Sequence, residues 1–94
     1  MAEITQLTVK VHGHVQGVCF RYFVKCLAAK LNLQGYVCNL PDGYTVEIRA
    51  VGERQHLESL ITSLRRGPPD SVVIEIETTW SDQISQFSGF SIRY

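Results

Sequence analysis

The fold is decided by the stretch Gly13-His14-Val15-Gln16-Gly17-Val18-Cys19-Phe20-Arg21, in which two glycines separate a strand from a helix. The helix is indicated by apolar residues at i, i+3, i+4, i+7, i+8 and i+11, which form one stripe: Phe20, Phe23, Val24, Leu27, Ala28 and Leu31. We predict that it covers about residues 21–32, with Arg21 as its first side chain. No Ser, Thr, Asp or Asn lies in the four residues before Arg21, so no side chain is placed to cap the helix.

The uncapped helix start predicts an oxyanion site. Backbone N–H groups behind a glycine loop are free to bind an anion, and the helix dipole adds partial positive charge there. Arg21 contributes a permanent cation whose planar fork matches phosphate oxygens, at a helix end where a purely structural cation would be unfavourable. The alternative is that the glycines only let the backbone pass closely and that water caps the helix.

Outward from this loop, the apolar pattern predicts four strands, of which the second is short, a short fifth strand and two helices. The strands fall near residues 7–12, 36–40, 44–51, 72–80 and 90–94, and the second helix opens at Gly52-Glu53 and ends at Arg66. The order β-α-β-β-α-β with right-handed crossovers predicts an α+β, ferredoxin-like two-layer sandwich. Two helices should cover one face of an antiparallel sheet, and residues 1–94 should form one domain.

Composition argues against several classes of function. Nine basic and nine acidic residues give zero net charge, which argues against a nucleic-acid or anionic-membrane partner. The outward positions of the first and third strands also lack the aromatic residues of an RNA-binding sheet. No apolar run approaches the ~20 residues that span a membrane. The odd count of three cysteines and the absence of a secretory signal predict reduced thiols and a cytoplasmic location.

Asn39 is a second candidate site residue. It stands near the end of a predicted strand, where Asn is unfavourable, just before the turn Pro41-Asp42-Gly43. Its neutral amide can donate and accept hydrogen bonds together, so it could hold a water molecule against a phosphorus atom. The alternative is an Asn that bonds its own backbone at the turn.

Other chemistries fit the residues less well. Phosphatases that form a phosphocysteine place nucleophile and arginine several residues apart around one loop, whereas Arg21 follows Cys19 by only two positions. We therefore interpret Cys19 as a structural or loop thiol. His12 and His14 have no Cys, His or carboxylate cluster beside them in the sequence, so no metal site is predicted. The glycine loop also lacks the Gly-Lys-Ser/Thr of a Walker loop.

Motifs along nearly the whole chain resemble one known family. They are Val11-x-Gly13-x-Val15-Gln16-Gly17-Val18-x-Phe20-Arg21, Gly35-Tyr36-Val37-x-Asn39, Asp42-Gly43, Gly52 after the third strand, and Gly67-Pro68-Pro69 after the second helix. Together they are similar to the acylphosphatases. The long loop motif with Asn39 at its expected distance is far more specific than a lone glycine pattern.

The resemblance implies a small, monomeric, cytosolic enzyme without metal or cofactor. It would hydrolyse the carboxyl–phosphate bond of small acylphosphates to a carboxylate and inorganic phosphate, which would act as a product inhibitor. Arg21 would bind the phosphate together with backbone N–H groups of the loop, namely those of Gln16, Gly17, Val18, Cys19, Phe20 and Arg21. Asn39 would position the attacking water, and no phosphoenzyme would form.

The chain departs from the family pattern at two points. After Asp42-Gly43, the pair Tyr44-Thr45 precedes Val46-Glu47, one residue more than usual, which predicts a bulge or a longer hairpin loop. Cys19 stands where members of the family often carry Gly, so its side chain would narrow the mouth of the cradle.

Two alternative functions remain open from the sequence. One is a non-catalytic anion or small-molecule sensor domain of ferredoxin-like fold. The other is an acylphosphatase-like domain of a larger carbamoyl-transfer protein, against which Met1 and a complete pattern ending at Tyr94 argue.

Overall fold

A computed structural model describes residues 3–94 and contains one five-stranded sheet with two helices. The strands are β1 (Ile4–His14), β2 (Gln34–Asn39), β3 (Thr45–Glu53), β4 (Val72–Ser81) and β5 (Phe90–Arg93), and the helices are α1 (Phe20–Lys30) and α2 (Arg54–Arg66). The strand order in the sheet is β4-β1-β3-β2-β5. This arrangement confirms the predicted ferredoxin-like sandwich.

The fifth strand makes the sheet mixed. Strands β1 to β4 pair antiparallel, as predicted, whereas β5 pairs parallel to β2. After β4, at one edge of the sheet, the chain must reach β5 at the opposite edge. The connection runs along the end of the sheet where β2 begins, so β5 starts beside the start of β2 and follows it. Local periodicity carries no information about this direction.

The core lies between one face of the sheet and both helices. Leu7, Val9 and Val11 of β1 stand opposite Ala50, Ile48 and Val46 of β3, and all six are fully buried. The helices add Phe20, Val24 and Ala28 from α1 and Leu57, Leu60 and Leu64 from α2. Burial of each large side chain contributes about 1.5–3 kcal/mol, so this layer holds α1 in place behind the glycine loop.

Both helices differ slightly from their predicted limits. Helix α1 begins at Phe20, one residue earlier than predicted, and ends at Lys30. Helix α2 begins at Arg54 because Gly52 and Glu53 are still part of β3, where they pair with β1. Here pairing between distant strands outweighs the local signal for a helix start.

The extra residue after Asp42-Gly43 lengthens the hairpin loop. Strands β2 and β3 keep a regular register up to the pair Asn39 and Val46, so the pairing contains no bulge. The loop therefore comprises residues 40–44. In the described part of the chain, neither helix is long and apolar enough to cross a membrane.

Candidate active site

The loop between β1 and α1 is shaped by two residues with positive φ. Gly17 has φ +75°, and Cys19, the residue before α1, has φ +61°. A left-handed conformation costs a residue with a Cβ atom about 1 kcal/mol, which the surrounding structure must offset at Cys19. These turns bend the chain sharply from the end of β1 to the first turn of α1.

The start of α1 leaves its backbone donors free. As predicted, no side chain caps the helix, and its first internal bond runs from the N–H of Phe23 to the carbonyl of Cys19 at 3.0 Å. The N–H groups of residues 16–22 have no hydrogen-bond acceptor within residues 3–94. A set of unpaired N–H groups at a positive helix end can bind an oxyanion.

Arg21 lies in the first turn of α1 and is half-buried. Among the described residues, no carboxylate lies within ion-pair distance of its guanidinium. The guanidinium carbon lies 4.6 Å from the ring centroid of Tyr94, a cation–π contact at the end of the chain. Arg21 is thus a cation without a neutralising partner, beside free N–H groups.

Asn39 is the last residue of β2 and faces the same side of the sheet as the buried Val46 opposite it. Its side-chain oxygen Oδ1 is buried, and no donor among the described residues is within hydrogen-bonding distance of it. A buried acceptor without a partner costs about 1–3 kcal/mol, so natural proteins retain few of them. The side chain does not bond its own turn, contrary to the structural alternative weighed above.

Arg21 and Asn39 line the same cavity, which has a volume of about 400 Å³. The other lining residues are Val15, Gly17, Cys19, Phe20, Tyr22, Ile92 and Tyr94. Strands β1, β2 and β5 run in the same direction, so their ends lie together at one end of the sheet. The cavity lies at that end. Of the predicted site residues, Gln16 and Val18 do not line it, and the side chain of Val18 packs against the core.

The side chain of Gln16 has a role that the sequence did not indicate. Its amide nitrogen Nε2 lies 2.9 Å from the carbonyl oxygen of Leu40 and 2.9 Å from that of Thr45. It therefore donates to both ends of the β2–β3 loop. In the sequence, the only hint of this contact is that a residue with a side chain, which could turn inward, stands at the centre of the glycine motif. That signal is weak.

Both ring nitrogens of His12 contact protein side chains. The two ring nitrogens of His12 are occupied, Nδ1 by the hydroxyl of Thr45 at 2.9 Å and Nε2 by the carboxylate of Glu77 at 2.6 Å. Residues 3–94 contain no group of three or more His, Cys, Asp or Glu side chains that could hold a metal ion.

The loop that follows Asn39 is organised by Asp42. One carboxylate oxygen of Asp42 accepts the N–H groups of Tyr44 and Thr45, each at 2.9 Å, and the other accepts the Thr45 hydroxyl at 2.5 Å. The hydroxyl contact, together with the two N–H groups, holds the pKa of Asp42 below its ordinary value.

None of the three cysteines forms a disulfide within residues 3–94. Cys19 and Cys26 are exposed, whereas Cys38 is half-buried on the face of the sheet away from the helices. Burial, followed by the nearby carboxylate of Glu47, raises the pKa of the Cys38 thiol. Cys38 should therefore react more slowly than an exposed thiol.

Fold and cavity together define a ferredoxin-like domain with a cationic, donor-lined cavity at one end of its sheet. Known proteins of this kind match the chain closely. The profile of the acylphosphatase family matches residues 7–92. An acylphosphatase of Caldivirga maquilingensis is 44% identical over 94 residues, covering 100% of this chain and 99% of that protein.

Solved structures agree with the sequence matches. The crystal structure of the acylphosphatase from Bacillus subtilis superposes with a TM-score of 0.92 at 42% identity, covering 96% of this chain and 99% of that one. The crystal structure of T. kodakarensis HypF also matches, with a TM-score of 0.82 at 31% identity, but the match covers 95% of this chain and only 12% of that one.

The chain belongs to the acylphosphatase family. This membership confirms the resemblance noted in the motifs and the prediction of a hydrolase that acts on acylphosphates.

Proposed function

We propose that the chain hydrolyses small acylphosphates by direct attack of water on a phosphate held by Arg21 and loop N–H groups, with Asn39 positioning the water. One observation carries this proposal. Within residues 3–94, an unpaired cation, free N–H donors and a buried acceptor without a hydrogen-bond partner line or adjoin one cavity. A site that only binds an anion would have no use for the acceptor Oδ1 of Asn39.

The phosphate would occupy the cradle at the start of α1. The cradle consists of the N–H groups of residues 16–21 and the guanidinium of Arg21. Charge spreads over the phosphate oxygens in the transition state of phosphoryl transfer, and fixed donors stabilise this charge without reorganisation. Inorganic phosphate, the product, fits the same donors and should therefore compete with substrate.

Asn39 would act on the attacking water. Its Oδ1 accepts a hydrogen bond from the water and so turns a lone pair of the water oxygen toward phosphorus. The water oxygen forms a bond to phosphorus while the bond from phosphorus to the acyl oxygen breaks. The bonding electrons leave with the carboxylate, and one proton of the water passes to a phosphate oxygen.

This reaction asks little else of the protein. A carboxylate is a stable leaving group that hardly needs a proton, and an acylphosphate is already activated. Positioning and charge stabilisation therefore suffice. We expect no covalent intermediate on Cys19 and no need for a metal or cofactor.

The remaining expectations concern the surroundings of the enzyme. We expect a monomer that acts on small molecules in the cytoplasm, without a nucleic-acid or membrane partner. The zero net charge argues against a nucleic-acid or anionic-membrane partner, and the free thiols support a cytoplasmic location. Sedimentation equilibrium would test the oligomeric state directly.

The decisive experiment is the hydrolysis of benzoyl phosphate by the purified chain in the presence of EDTA. We expect rapid turnover that inorganic phosphate inhibits, that EDTA leaves unchanged and that Arg21→Ala abolishes together with phosphate binding. Loss of turnover on chelation would overturn the metal-free mechanism. Phosphate binding without any turnover would instead identify a sensor domain.

A further inference from the structure

The side-chain amide of Gln16 bridges two loops of the site. The backbone of Gln16 belongs to the loop between β1 and α1, whereas its Nε2 contacts the carbonyls of Leu40 and Thr45, at the two ends of the β2–β3 loop. These two carbonyls, of Leu40 and Thr45, close that loop, because the N–H of Leu40 also donates to the carbonyl of Thr45 at 2.9 Å. Gln16 thus uses both of its amide protons to hold one closed ring of backbone.

The sheet itself does not connect the loop before α1 to Asn39. Strand β3 lies between β1 and β2, so the end of β1 and the end of β2 share no backbone pairing. Leu40 directly follows Asn39, and the contact from Gln16 to its carbonyl reaches across β3. This contact is therefore a direct link between the phosphate cradle and the residue next to Asn39.

The β2–β3 loop needs such a link because most of it is exposed. Residues 41–44 are all exposed, and the bonds that Asp42 accepts fix only the internal shape of the loop. A second connection runs from the N–H of Gly13 to the carbonyl of Tyr44 at 2.9 Å, at the far end of the loop from Asn39. The contact from Gln16 to Leu40 holds the near end of the loop, next to Asn39.

We infer that Gln16 is a positioning residue, whose side-chain amide sets the distance between the phosphate cradle and Asn39. The inference rests on the proposed function, since it assumes that a water molecule on Asn39 must meet phosphorus held in the cradle. Misplacement of a reacting group by about 1 Å can lower a rate by about a hundredfold. Loss of the Gln16 amide should therefore slow the reaction while leaving the cradle able to bind phosphate.

The variant Gln16→Met tests this inference, because methionine has similar length and volume but no hydrogen to donate. We expect kcat to fall about 10- to 100-fold while the inhibition constant of inorganic phosphate changes by less than about threefold. The same substitution at the exposed Gln55 of α2 is the matched control and should change neither constant. If Gln16→Met does not fold, the shorter amide of Gln16→Asn, which cannot reach both carbonyls, provides the same comparison.

A purely structural role would give a different result. The midpoint of thermal unfolding would fall while kcat per folded molecule stayed at the parent value, and this outcome would overturn the inference. A parallel loss of phosphate binding would overturn it too, since the side chain of Gln16 would then support the cradle rather than act through Asn39.

The double variant separates this inference from the proposed function. If Gln16 acts through Asn39, adding Gln16→Met to Asn39→Ala should lower kcat by no more than about twofold further. A large additional loss would refute the inference and leave the proposed function standing. Near-normal turnover by Asn39→Ala alone would instead refute the assigned water site, and the role of Gln16 with it.

Discussion

Replacement of Asn39 by alanine should greatly lower kcat without destabilising the protein. The side-chain oxygen Oδ1 of Asn39 is buried and has no hydrogen-bond partner among the described residues. Retaining such a group costs the folded state about 1–3 kcal/mol, which alanine removes. In the proposed mechanism the same oxygen orients the water. Loss of one preorganised group of this kind should cost about 3–4 kcal/mol, a roughly hundred- to thousandfold decrease in kcat.

Three measurements on the same preparation test this reasoning. Initial rates with benzoyl phosphate give kcat, calorimetric titration gives phosphate affinity, and urea unfolding gives the free energy of unfolding. We expect a large loss of kcat, an unchanged phosphate affinity and a free energy of unfolding that is equal or higher. A kcat within about threefold of the parent, less than 1 kcal/mol, would refute the assigned role. A clear loss of stability would show that Oδ1 has a partner in the protein.

Three further predictions concern the loops around the cavity. Gly13→Ala should destabilise the fold by about 3 kcal/mol or more, because its Cβ would lie 2.1 Å from a backbone carbonyl of β4. In Gly17→Ala the new Cβ has no atom within 4 Å apart from its chain neighbours, so the loss of stability should be only the cost of a left-handed backbone, about 1 kcal/mol. Equal losses of stability for the two variants in urea unfolding would contradict this contrast. Because the pKa of Asp42 is lower in the folded protein than its unfolded value of about 3.9, the ionised carboxylate stabilises the fold at any pH above that value. This stability is lost as the pH falls through the folded pKa, and Asp42→Asn should remove that part of the acid unfolding curve. Alkylation of Cys19 with N-ethylmaleimide should slow turnover because Cys19 lines the cavity, and bound phosphate should slow the alkylation. Full activity of protein alkylated at Cys19 would refute the idea that this side chain can obstruct the mouth of the cradle.

Much of the fold could be predicted from local pattern. The stripe from Phe20 to Leu31 and the alternation along β1 and β3 reflect burial on one face, which sequence periodicity records directly. The direction of β5 could not be predicted, since it depends on which edge of the sheet the chain reaches after β4. The start of α2 was predicted too early because Gly52 and Glu53 pair with a strand that lies far away in the sequence.

The candidate site shows the same division. An unfavourable charge at a helix start indicates Arg21, and a poor fit to a strand indicates Asn39. These two breaks of local rules mark residues that the structure brings to one cavity. Gln16 breaks no local rule, and its contacts with Leu40 and Thr45 are 24 and 29 residues away in the chain. Only the tertiary structure shows that its side chain joins two loops.

Because β5 forms part of the cavity wall, the order in which the strands fold determines when the enzyme becomes active. Ile92 and Tyr94 line the same cavity as Val15, so one side of the site is supplied by residues far along the chain from the loop before α1. Strand β5 can pair with β2 only after the chain has crossed the whole end of the sheet, and such distant pairings form slowly. A chain that has folded only its first strands would have an open flank at the cavity, so activity would appear only when β5 docks on β2.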